Sequence, residues 1–358
     1  MAQHPTMPRT ACYAALSAGS ELVPYTLERR PPGPQDIVID ILFCGVCHSD
    51  YHHISGDWGK KSFPAVPGHE IVGRVLAIGD SVSKHRVGDL VAVGCLVDSC
   101  RHCASCDSGE EQYCDEQWAY ATYGGTEKQT GRPTYGGYSK RIVVDEHFVL
   151  RVPSSMEPAA TAPLLCAGVT TYSPLRHWKT GPGSKVGVVG LGGLGHMAIK
   201  LASAMGAEVV LFTTSPGKAE DARRLGAAEV VISTDKDAMR KHTKRLDLII
   251  DTVSSPHNLN RHLSQLKRDG TMVLLGLPSE PHPSTLPELF VNGRVNLAGS
   301  LIGGVRETQE MLDFCAEHGI ASDIEIIRMD EINASFARML KGDVKYRFVI
   351  DMATLPEA

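Results

Sequence analysis

The chain has 358 residues, and its 36 lysines and arginines against 41 aspartates and glutamates give a formal net charge of −5. This length exceeds the size at which a single hydrophobic core keeps growing, which predicts two domains. The chain lacks the excess of basic residues that is expected of a nucleic-acid-binding protein. No apolar run reaches the roughly 18 residues that a membrane-spanning helix needs. We therefore expect a soluble, cytoplasmic protein with neither nucleic-acid nor membrane partners.

The first part of the chain consists of short, β-branched apolar segments separated by glycine and proline turns. Such segments are typical of strands in a β-rich domain, and polar residues between them lie in loops and at strand ends. The predicted strands are residues 37–43, 71–78, 90–93 and 142–150.

Metal-binding side chains occur in three separated segments of the chain. Cys47 is followed by Ser49 and His52, His69 lies in the second segment, and Cys166 comes about a hundred residues later. Two thiolates and an imidazole form a zinc set that leaves a fourth position open for a reacting oxygen. Ser49 and His52 lie close enough in sequence to Cys47 to pass a proton toward water.

A second group of cysteines is compact in sequence. Its members lie within fifteen residues and are Cys100, Cys103, Cys106 and Cys114. This spacing predicts a loop that closes tetrahedrally on a structural zinc. Disulfides are the alternative, although cysteines three residues apart are poorly placed to pair with each other. We interpret the four remaining cysteines as small core residues; they are Cys12, Cys44, Cys95 and Cys315.

From residue 158 the pattern changes to alternating apolar strands and amphipathic helices. A helix over residues 159–178 carries Cys166, and residues 184–195 read as a strand, a glycine turn and a helix start. In a dinucleotide-binding turn Gly190 permits the tight bend, Gly192 admits the pyrophosphate, and Gly195 lets helix and strand pack closely. A plain turn is the alternative. Gly193 and Leu194 complete the predicted binding turn.

The alternation continues to residue 302, which predicts a doubly wound parallel sheet. The expected strands are residues 209–213, 230–232, 246–251, 272–277 and 295–302, and the expected helices are residues 218–225, 259–266 and 305–317. Shorter strand-like elements then return. We therefore predict one domain from residues 1–157 with 303–358, and a dinucleotide-binding domain from residues 158–302.

The end of the second strand of this domain predicts which dinucleotide binds. An acidic residue there would favour NAD, whereas this chain has Thr214, Ser215 and Lys218, which can donate to a 2′-phosphate. The alternative is that Ser215 only caps the next helix, with Pro216 at its first position. We expect the cofactor to be NADP(H). Ser215 could both bind the 2′-phosphate and cap the helix.

In combination, these motifs resemble those of zinc-dependent medium-chain alcohol dehydrogenases, in the branch of cinnamyl alcohol dehydrogenases and broad aldehyde reductases. The resemblance covers nearly the whole chain and rests on residues 45–50, 67–70, 100–114, 190–195 and 343–348. It implies an α/β protein with a β-rich GroES-like catalytic domain and a Rossmann domain. It also implies one catalytic and one structural zinc per subunit, NADP(H), and a homodimer joined through edge strands near residues 295–301.

The resemblance also assigns roles around the catalytic zinc. Cys47, His69 and Cys166 match the zinc ligands, and Glu70 matches a carboxylate that approaches the metal when solvent or product exchanges. Asp50 matches the residue that orients the imidazole ligand.

Further roles follow from the same resemblance. Ser49, where many relatives have threonine, and His52 match a proton relay. His48 stands where some relatives have an arginine near the pyrophosphate, and Arg347 matches a residue that approaches the cofactor phosphates. We expect His53 to be an ordinary surface histidine.

The implied reaction is reduction of aldehydes to primary alcohols, and the reverse, by hydride transfer with NADP(H). Trp58 and Trp118 match positions that could form an apolar pocket wall, which would favour aromatic, allylic or medium-length aliphatic substrates; simple packing is the alternative. A polyol dehydrogenase is a second hypothesis, because it would share the zinc and the glycine turn. A noncatalytic zinc or redox-sensing protein is a third.

Overall fold

The computed structural model describes residues 9–57, 59, 62–116 and 119–357. The chain divides into two compact units, one comprising Met1–Cys166 with Gly303–Ala358 and the other comprising Ala167–Ile302. The first boundary thus follows Cys166, later than the expected residue 157. The reason is that the helical residues just before Cys166 pack on strands of the first unit.

Strands and helices alternate differently in the two units. The strands of the described residues are β1 (Thr10–Ala15), β2 (Leu22–Leu27), β3 (Asp36–Gly45), β4 (Ile71–Ile78), β5 (Leu90–Val93), β6 (Arg141–Asp145), β7 (Leu150–Arg151), β8 (Lys185–Val189), β9 (Glu208–Thr213), β10 (Glu229–Ile232), β11 (Leu246–Asp251), β12 (Leu266–Leu274), β13 (Asn296–Gly299), β14 (Ile324–Arg328) and β15 (Arg347–Asp351). The α-helices there are α1 (His48–Ser55), α2 (Ala104–Ser108), α3 (Pro158–Thr161), α4 (Ala167–His177), α5 (Gly193–Ala204), α6 (Ala219–Leu225), α7 (Lys236–Arg240), α8 (Asn260–Leu263), α9 (Pro287–Gly293), α10 (Val305–His318) and α11 (Ile332–Leu340).

The first unit is built on a mixed sheet with the strand order β14-β15-β3-β4-β5-β7, and β6 also pairs with β3. Alternate residues of β3 enter the core, where Ile37, Ile39 and Ile41 are buried. The last strand of the chain, β15, pairs antiparallel with β3, so that Val349 lies opposite Gly45. This pairing places the end of the chain beside the segment that follows β3.

The second unit is an all-parallel sheet with the order β10-β9-β8-β11-β12-β13. Its central strand β8 is almost wholly apolar and buried, as expected of a strand covered on both faces. The predicted fold class, a β-rich domain with a doubly wound parallel sheet, is therefore confirmed.

Several local predictions were wrong. The expected strand over residues 142–150 is divided into β6 and β7 by a 3₁₀ turn over Glu146–Phe148. The expected helix over residues 159–178 is interrupted at Cys166, which has non-helical dihedrals after a 3₁₀ turn over Ala162–Leu165. The expected helix over residues 259–266 is only the short α8, because Leu266 already begins β12. The pairing of Leu266 with Leu246 of β11 ends the helical stretch there. The segment after Cys47 is a helix, whereas a loop was expected.

None of the helices in the described part of the chain has the length and apolarity that a membrane span requires.

Candidate active site

Four side chains from three separate segments meet in the interior of the first unit. The ligand atoms of Cys47, His69, Glu70 and Cys166 all lie within 4.8 Å of one another, and all four residues are buried. The two sulfur atoms are 4.0 Å apart. Thiolates bound at about 2.3 Å to one tetrahedral zinc lie roughly 3.8 Å apart, so the spacing of this pair suits a shared metal.

Local structure explains how these residues are brought together. Cys47 precedes α1, which begins there because the Asp50 carboxylate three residues later accepts a hydrogen bond from the Cys47 amide. Gly68, just before His69, has φ of 101°, and a Cβ there would overlap Tyr138 and Cys44. Only glycine therefore allows the chain to turn His69 into the site.

Asp50 joins these segments through its carboxylate, which is fully buried. It accepts hydrogen bonds from the amides of Cys47 at 2.9 Å and Gly68 at 3.0 Å, from the Tyr138 hydroxyl at 3.1 Å, and from His69 Nδ1 at 3.2 Å. Because Nδ1–H of His69 donates to the carboxylate, its Nε2 is free to bind a metal.

Glu70 and Arg347 form a buried ion pair on the edge of this cluster. Arg347 Nη2 contacts Glu70 Oε1, and the same oxygen is 4.0 Å from His69 Nε2. The other carboxylate oxygen, Oε2, is buried without a hydrogen-bond partner among the described residues. A Cβ at Gly45 would overlap that oxygen, so glycine is required to admit the carboxylate. Burial raises the pKa of the Glu70 carboxyl, and the Arg347 charge opposes this rise.

The surroundings of the Cys47 thiol favour loss of its proton. A hydrogen bond from Cys166 and the positive charge of Arg347 hold the pKa of Cys47 well below its usual range, although burial acts against them. A thiolate is the form in which cysteine binds metals. Arg347 is therefore placed beside the thiol cluster, and its predicted contact with the cofactor phosphates stays a prediction.

The predicted relay residues lie on α1. Cys47 Sγ donates to Ser49 Oγ over 3.6 Å. His52 is partly exposed, and its Nδ1 is 2.8 Å from Oδ2 of Asp57, a residue that the sequence analysis missed although it follows His52 by only five positions. His48 is exposed at the start of the same helix, with its ring centroid 6.4 Å from that of His52.

His53 is not the surface histidine that was expected, because it is 6% exposed. Its ring packs edge-on against Tyr123, with centroids 4.8 Å apart, and Tyr123 also lies 5.5 Å from the ring of His69. Tyr123 and Tyr138 were both missed. They come from a glycine-rich stretch without periodicity, and nothing in the sequence indicates that it reaches the metal ligands.

The second cysteine group is also brought together. The sulfur atoms of Cys100, Cys103, Cys106 and Cys114 lie within 4.8 Å of one another. All ten cysteines, each of them described, are free thiols, so the disulfide alternative is not what the structure contains. Glu111, which lies between the last two of these cysteines, accepts a hydrogen bond of 3.0 Å from the amide of Val305 at the start of α10. The loop is thereby attached to that helix.

In the second unit, the glycine turn has the shape that a dinucleotide requires. Gly190 has φ of 90°, and a Cβ at Gly195 would overlap the Gly190 carbonyl. A Cβ at Gly192 would meet no atom within 4 Å, so the turn is open there at the N-terminus of α5. Backbone amides at such a helix start bind phosphate groups.

The residues after β9 surround this turn. Lys218 Nζ donates to the carbonyl of Leu191 over 2.8 Å, which places the ammonium group at the glycine turn. Ser215 precedes a 3₁₀ turn, but its side chain makes no capping hydrogen bond to the described residues. Its hydroxyl and that of the exposed Thr214 are thus available to a ligand.

Comparison with known proteins identifies the family. Residues 33–154 match the model of the alcohol dehydrogenase GroES-like domain, and residues 193–317 match that of the zinc-binding dehydrogenases. The chain is 58% identical over 346 residues to aldehyde reductase YahK of Escherichia coli, covering 96% of this chain and 98% of the relative. It is 52% identical to NADP-dependent alcohol dehydrogenase C 1 of Mycolicibacterium smegmatis, covering 98% and 99%.

A solved structure gives the same result. The cinnamyl alcohol dehydrogenase of Sorghum bicolor is 44% identical and superposes with a TM-score of 0.94, covering 98% of this chain and 99% of that one. The chain belongs to the zinc-binding alcohol dehydrogenases. The resemblance stated from the sequence motifs is thereby confirmed.

Both donor groups fit the zinc ions of a zinc-binding alcohol dehydrogenase. The four-cysteine group offers a closed set of soft ligands, which is typical of a structural site. The other group offers two thiols and an imidazole that is already oriented by Asp50, while Glu70 Oε2 has no hydrogen-bond partner in the part of the chain that the structure describes. This mixed set suits a zinc ion that keeps one position for exchange.

Trp58 and Trp118, the predicted pocket wall, lie outside the described residues. Their role stays a prediction.

Replacing Asp50 by asparagine tests the support of the catalytic metal group. The amide would present donors to groups that are themselves donors, so we expect zinc affinity at this group to fall roughly 10- to 100-fold. Zinc content after equilibration with a chelator should then drop by one ion per chain, while the four-cysteine group keeps its metal. Asp80→Asn, at an exposed carboxylate of the same unit, is the control and should retain both ions.

Proposed function

We propose that this dehydrogenase reduces aldehydes to primary alcohols, and oxidises the alcohols in reverse, by hydride exchange with NADP(H) at a zinc site. The observation that carries the proposal is the buried group of Cys47, His69 and Cys166, with the Ser49 hydroxyl 3.6 Å from Cys47 Sγ. Relatives of this chain carry the names aldehyde reductase and NADP-dependent alcohol dehydrogenase.

Each residue of the site has a distinct task in this proposal. Cys47, His69 and Cys166 hold the zinc, and Asp50 keeps His69 in the tautomer that presents Nε2. Zinc supplies Lewis acidity, which lowers the pKa of an alcohol oxygen, and the nicotinamide supplies or accepts the hydride. Glu70 is positioned to approach the metal group through Oε2 when product leaves.

Proton movement is assigned to α1. Ser49 exchanges the proton with the substrate oxygen, and His52 passes it to or from water, because its imidazole is partly exposed. Asp57 accepts from His52 Nδ1 and stabilises the ring when it is protonated; the same hydrogen bond lowers the pKa of Asp57. The relay thus ends at a histidine whose charge is compensated at the surface.

Preference for the phosphorylated cofactor is assigned to the residues after β9. Residues 214–218 include no carboxylate that would repel a 2′-phosphate, and the Thr214 and Ser215 hydroxyls and the Lys218 ammonium can donate to it. His48 and Arg347 are further candidates for contact with the cofactor phosphates. Gly190, Gly192, Gly193, Leu194 and Gly195 form the pyrophosphate turn.

We also propose a homodimer in which the edges of two parallel sheets pair. Strand β13 is the last strand on one side of its sheet, and Leu297 on that strand is 37% exposed. A two-fold axis beside this strand would continue the sheet antiparallel into a second copy, and two-fold dimers are the commonest assemblies. The free thiols and the thiol-rich metal groups favour the reducing cytoplasm as the location.

The test of the proposed activity is a panel of aldehydes and alcohols assayed with both cofactors. We expect cinnamaldehyde to be reduced with NADPH and sorbitol to be oxidised poorly, because a polyol requires polar partners for each buried hydroxyl. In parallel, Cys47→Ala should lose one zinc per chain and the activity together. Efficient turnover of sorbitol alone would favour the polyol hypothesis, and an active Cys47→Ala protein would exclude this site.

His52→Ala tests the relay. Loss of the imidazole should lower kcat by up to roughly 100-fold near neutral pH, because the proton must then leave through water alone. Zinc content should stay at two ions per chain, since His52 is not in either donor group. His318→Ala, an exposed histidine of the same unit, is the control. A wild-type pH–rate profile in His52→Ala would remove this residue from the relay.

Ser215→Asp tests the choice of cofactor. The new carboxylate would repel a 2′-phosphate and could accept the ribose hydroxyls of NADH, so we expect the ratio of kcat/KM for NADPH over NADH to fall about 100-fold. Ser279→Asp places the same charge at another exposed position of this unit and should leave the ratio unchanged. If the ratio of kcat/KM for NADPH over NADH is unaltered in Ser215→Asp, Ser215 does not contribute to recognition of the 2′-phosphate.

A further inference from the structure

The loop that follows β11 packs against the glycine turn of the second unit. Thr252 donates through its amide and its hydroxyl to the carbonyl of Val189, the last residue of β8, at 3.1 and 2.8 Å. A Cβ at Gly190 would lie 3.1 Å from the Thr252 hydroxyl and 3.0 Å from the Val253 side chain. The shape of the turn at Gly190 is therefore set in part by how this loop is held.

His257 closes this loop, residues 251–257, onto its own beginning. Its Nε2 lies 3.0 Å from Oδ2 of Asp251, the last residue of β11, and its Nδ1 lies 2.9 Å from the carbonyl oxygen of Ser255. The other carboxylate oxygen of Asp251, Oδ1, accepts a hydrogen bond of 3.2 Å from the Val253 amide. Asp251 therefore links His257 to a residue that contacts the glycine turn.

This geometry favours a positive charge on His257. A carbonyl and an ionised carboxylate can only accept, so both ring nitrogens are satisfied only when both carry protons. Asp251 is 1% exposed, and a buried carboxylate needs compensation of its charge. The contact with Asp251 raises the pKa of His257, although partial burial acts against it.

The titratable groups on neighbouring elements do not supply the same charge. On α8, His262 has its ring 6.1 Å from that of His257, and burial lowers the pKa of His262 to about 4. Arg261, next to it, is exposed. His282, between β12 and α9, has its ring 4.9 Å from that of His257 and accepts the His257 amide proton at Nδ1 over 3.4 Å, which requires that nitrogen to be unprotonated. Titration of His257 therefore changes the charge next to Asp251.

We propose that His257 is a positioning residue for NADP(H): as an imidazolium it pairs with Asp251 and holds residues 251–257 against the glycine turn, so that cofactor affinity follows its protonation. This inference rests on the proposed function in one respect, namely that the glycine turn binds the cofactor. His257 acts through Asp251 and Val253, and no direct contact between His257 and the cofactor is required.

The direction of the pH dependence follows from which form of His257 holds the loop. The imidazolium is present below the pKa of His257, so cofactor affinity is highest there. As the pH rises through this raised pKa, Asp251 loses its compensating charge, the loop loosens and the affinity falls. By linkage, cofactor binding raises the pKa of His257 further and takes up protons from solution in the same pH range.

The experiment measures the dissociation constant of NADPH from its fluorescence in the zinc-loaded, full-length protein without substrate. We expect Kd to increase about 10-fold from about pH 7 to about pH 9, a common size for coupling between two groups. The 2′-phosphate is almost fully ionised over this range, because the second pKa of a phosphate ester is about 6. A wild-type Kd that is constant over this range would contradict the inference, whereas absence of NADPH binding at every pH would reject the proposed function.

Two variants separate charge from shape at position 257. His257→Gln keeps a hydrogen-bond donor without the charge, so its Kd for NADPH should be about 10-fold higher than that of the wild type at pH 7 and nearly independent of pH. His257→Lys keeps the charge throughout, so it should bind as the wild type does at pH 7 and retain that affinity at pH 9. The inference is wrong if His257→Gln binds as the wild type does at both pH values, or if His257→Lys is as weak as His257→Gln at pH 7.

A control and a second measurement complete the test. His177→Gln makes the same substitution at an exposed histidine of the second unit and should leave Kd and its pH dependence unchanged. Titration calorimetry in buffers of different ionisation enthalpy records proton uptake when NADPH binds to the wild-type protein, so it needs no variant at position 257. We expect uptake of a fraction of a proton near pH 8, and zero uptake would overturn the inference even if the variants fail to fold.

Discussion

The group of Cys47, His69, Glu70 and Cys166 depends on one buried carboxylate. Asp50 accepts four hydrogen bonds, and their donors come from the segment after β3, the glycine turn before β4 and the glycine-rich stretch before β6. Burying a carboxylate costs free energy unless its oxygens accept hydrogen bonds. The hydrogen bonds that the Asp50 carboxylate needs therefore link these three segments. The same bonds start α1 and orient His69. One side chain therefore shapes both the metal group and the helix that carries the proposed relay.

The end of the chain contributes a second constraint. Because β15 pairs with β3, Arg347 lies beside two thiols and the Glu70 carboxylate. All these groups are buried, and the positive charge of Arg347 compensates the negative charges of the carboxylate and of any thiolate. Glycine at position 45 makes room for Glu70 in this arrangement. Opposite charges in a dry interior are tolerated only when paired, which explains why a residue near the C-terminus belongs to a site formed mainly by the first third of the chain.

Cys95 illustrates how side chains from distant segments meet. Its sulfur lies 3.9 Å from the carbonyl oxygen of Leu165, because the Gly94–Cys95 backbone packs against that residue. Seventy residues separate those segments in the chain, so no local pattern reports their contact. The same applies to Tyr123 and Tyr138, which approach His69 and Asp50 from an aperiodic stretch.

The sequence by itself determined the alternation of elements, the parallel sheet, the glycine turn and the two sets of metal-binding side chains, because these follow from local periodicity and from the chemistry of single residues. It misplaced element boundaries that depend on distant partners. The helix expected over residues 259–266 is cut short because Leu266 pairs with Leu246 of β11, and the helix after Cys47 depends on how Asp50 is bonded. Tertiary structure alone decided the partners of Asp50, Glu70 and Cys95. Those contacts are made between distant segments, and their energies exist only once the core has brought the segments together.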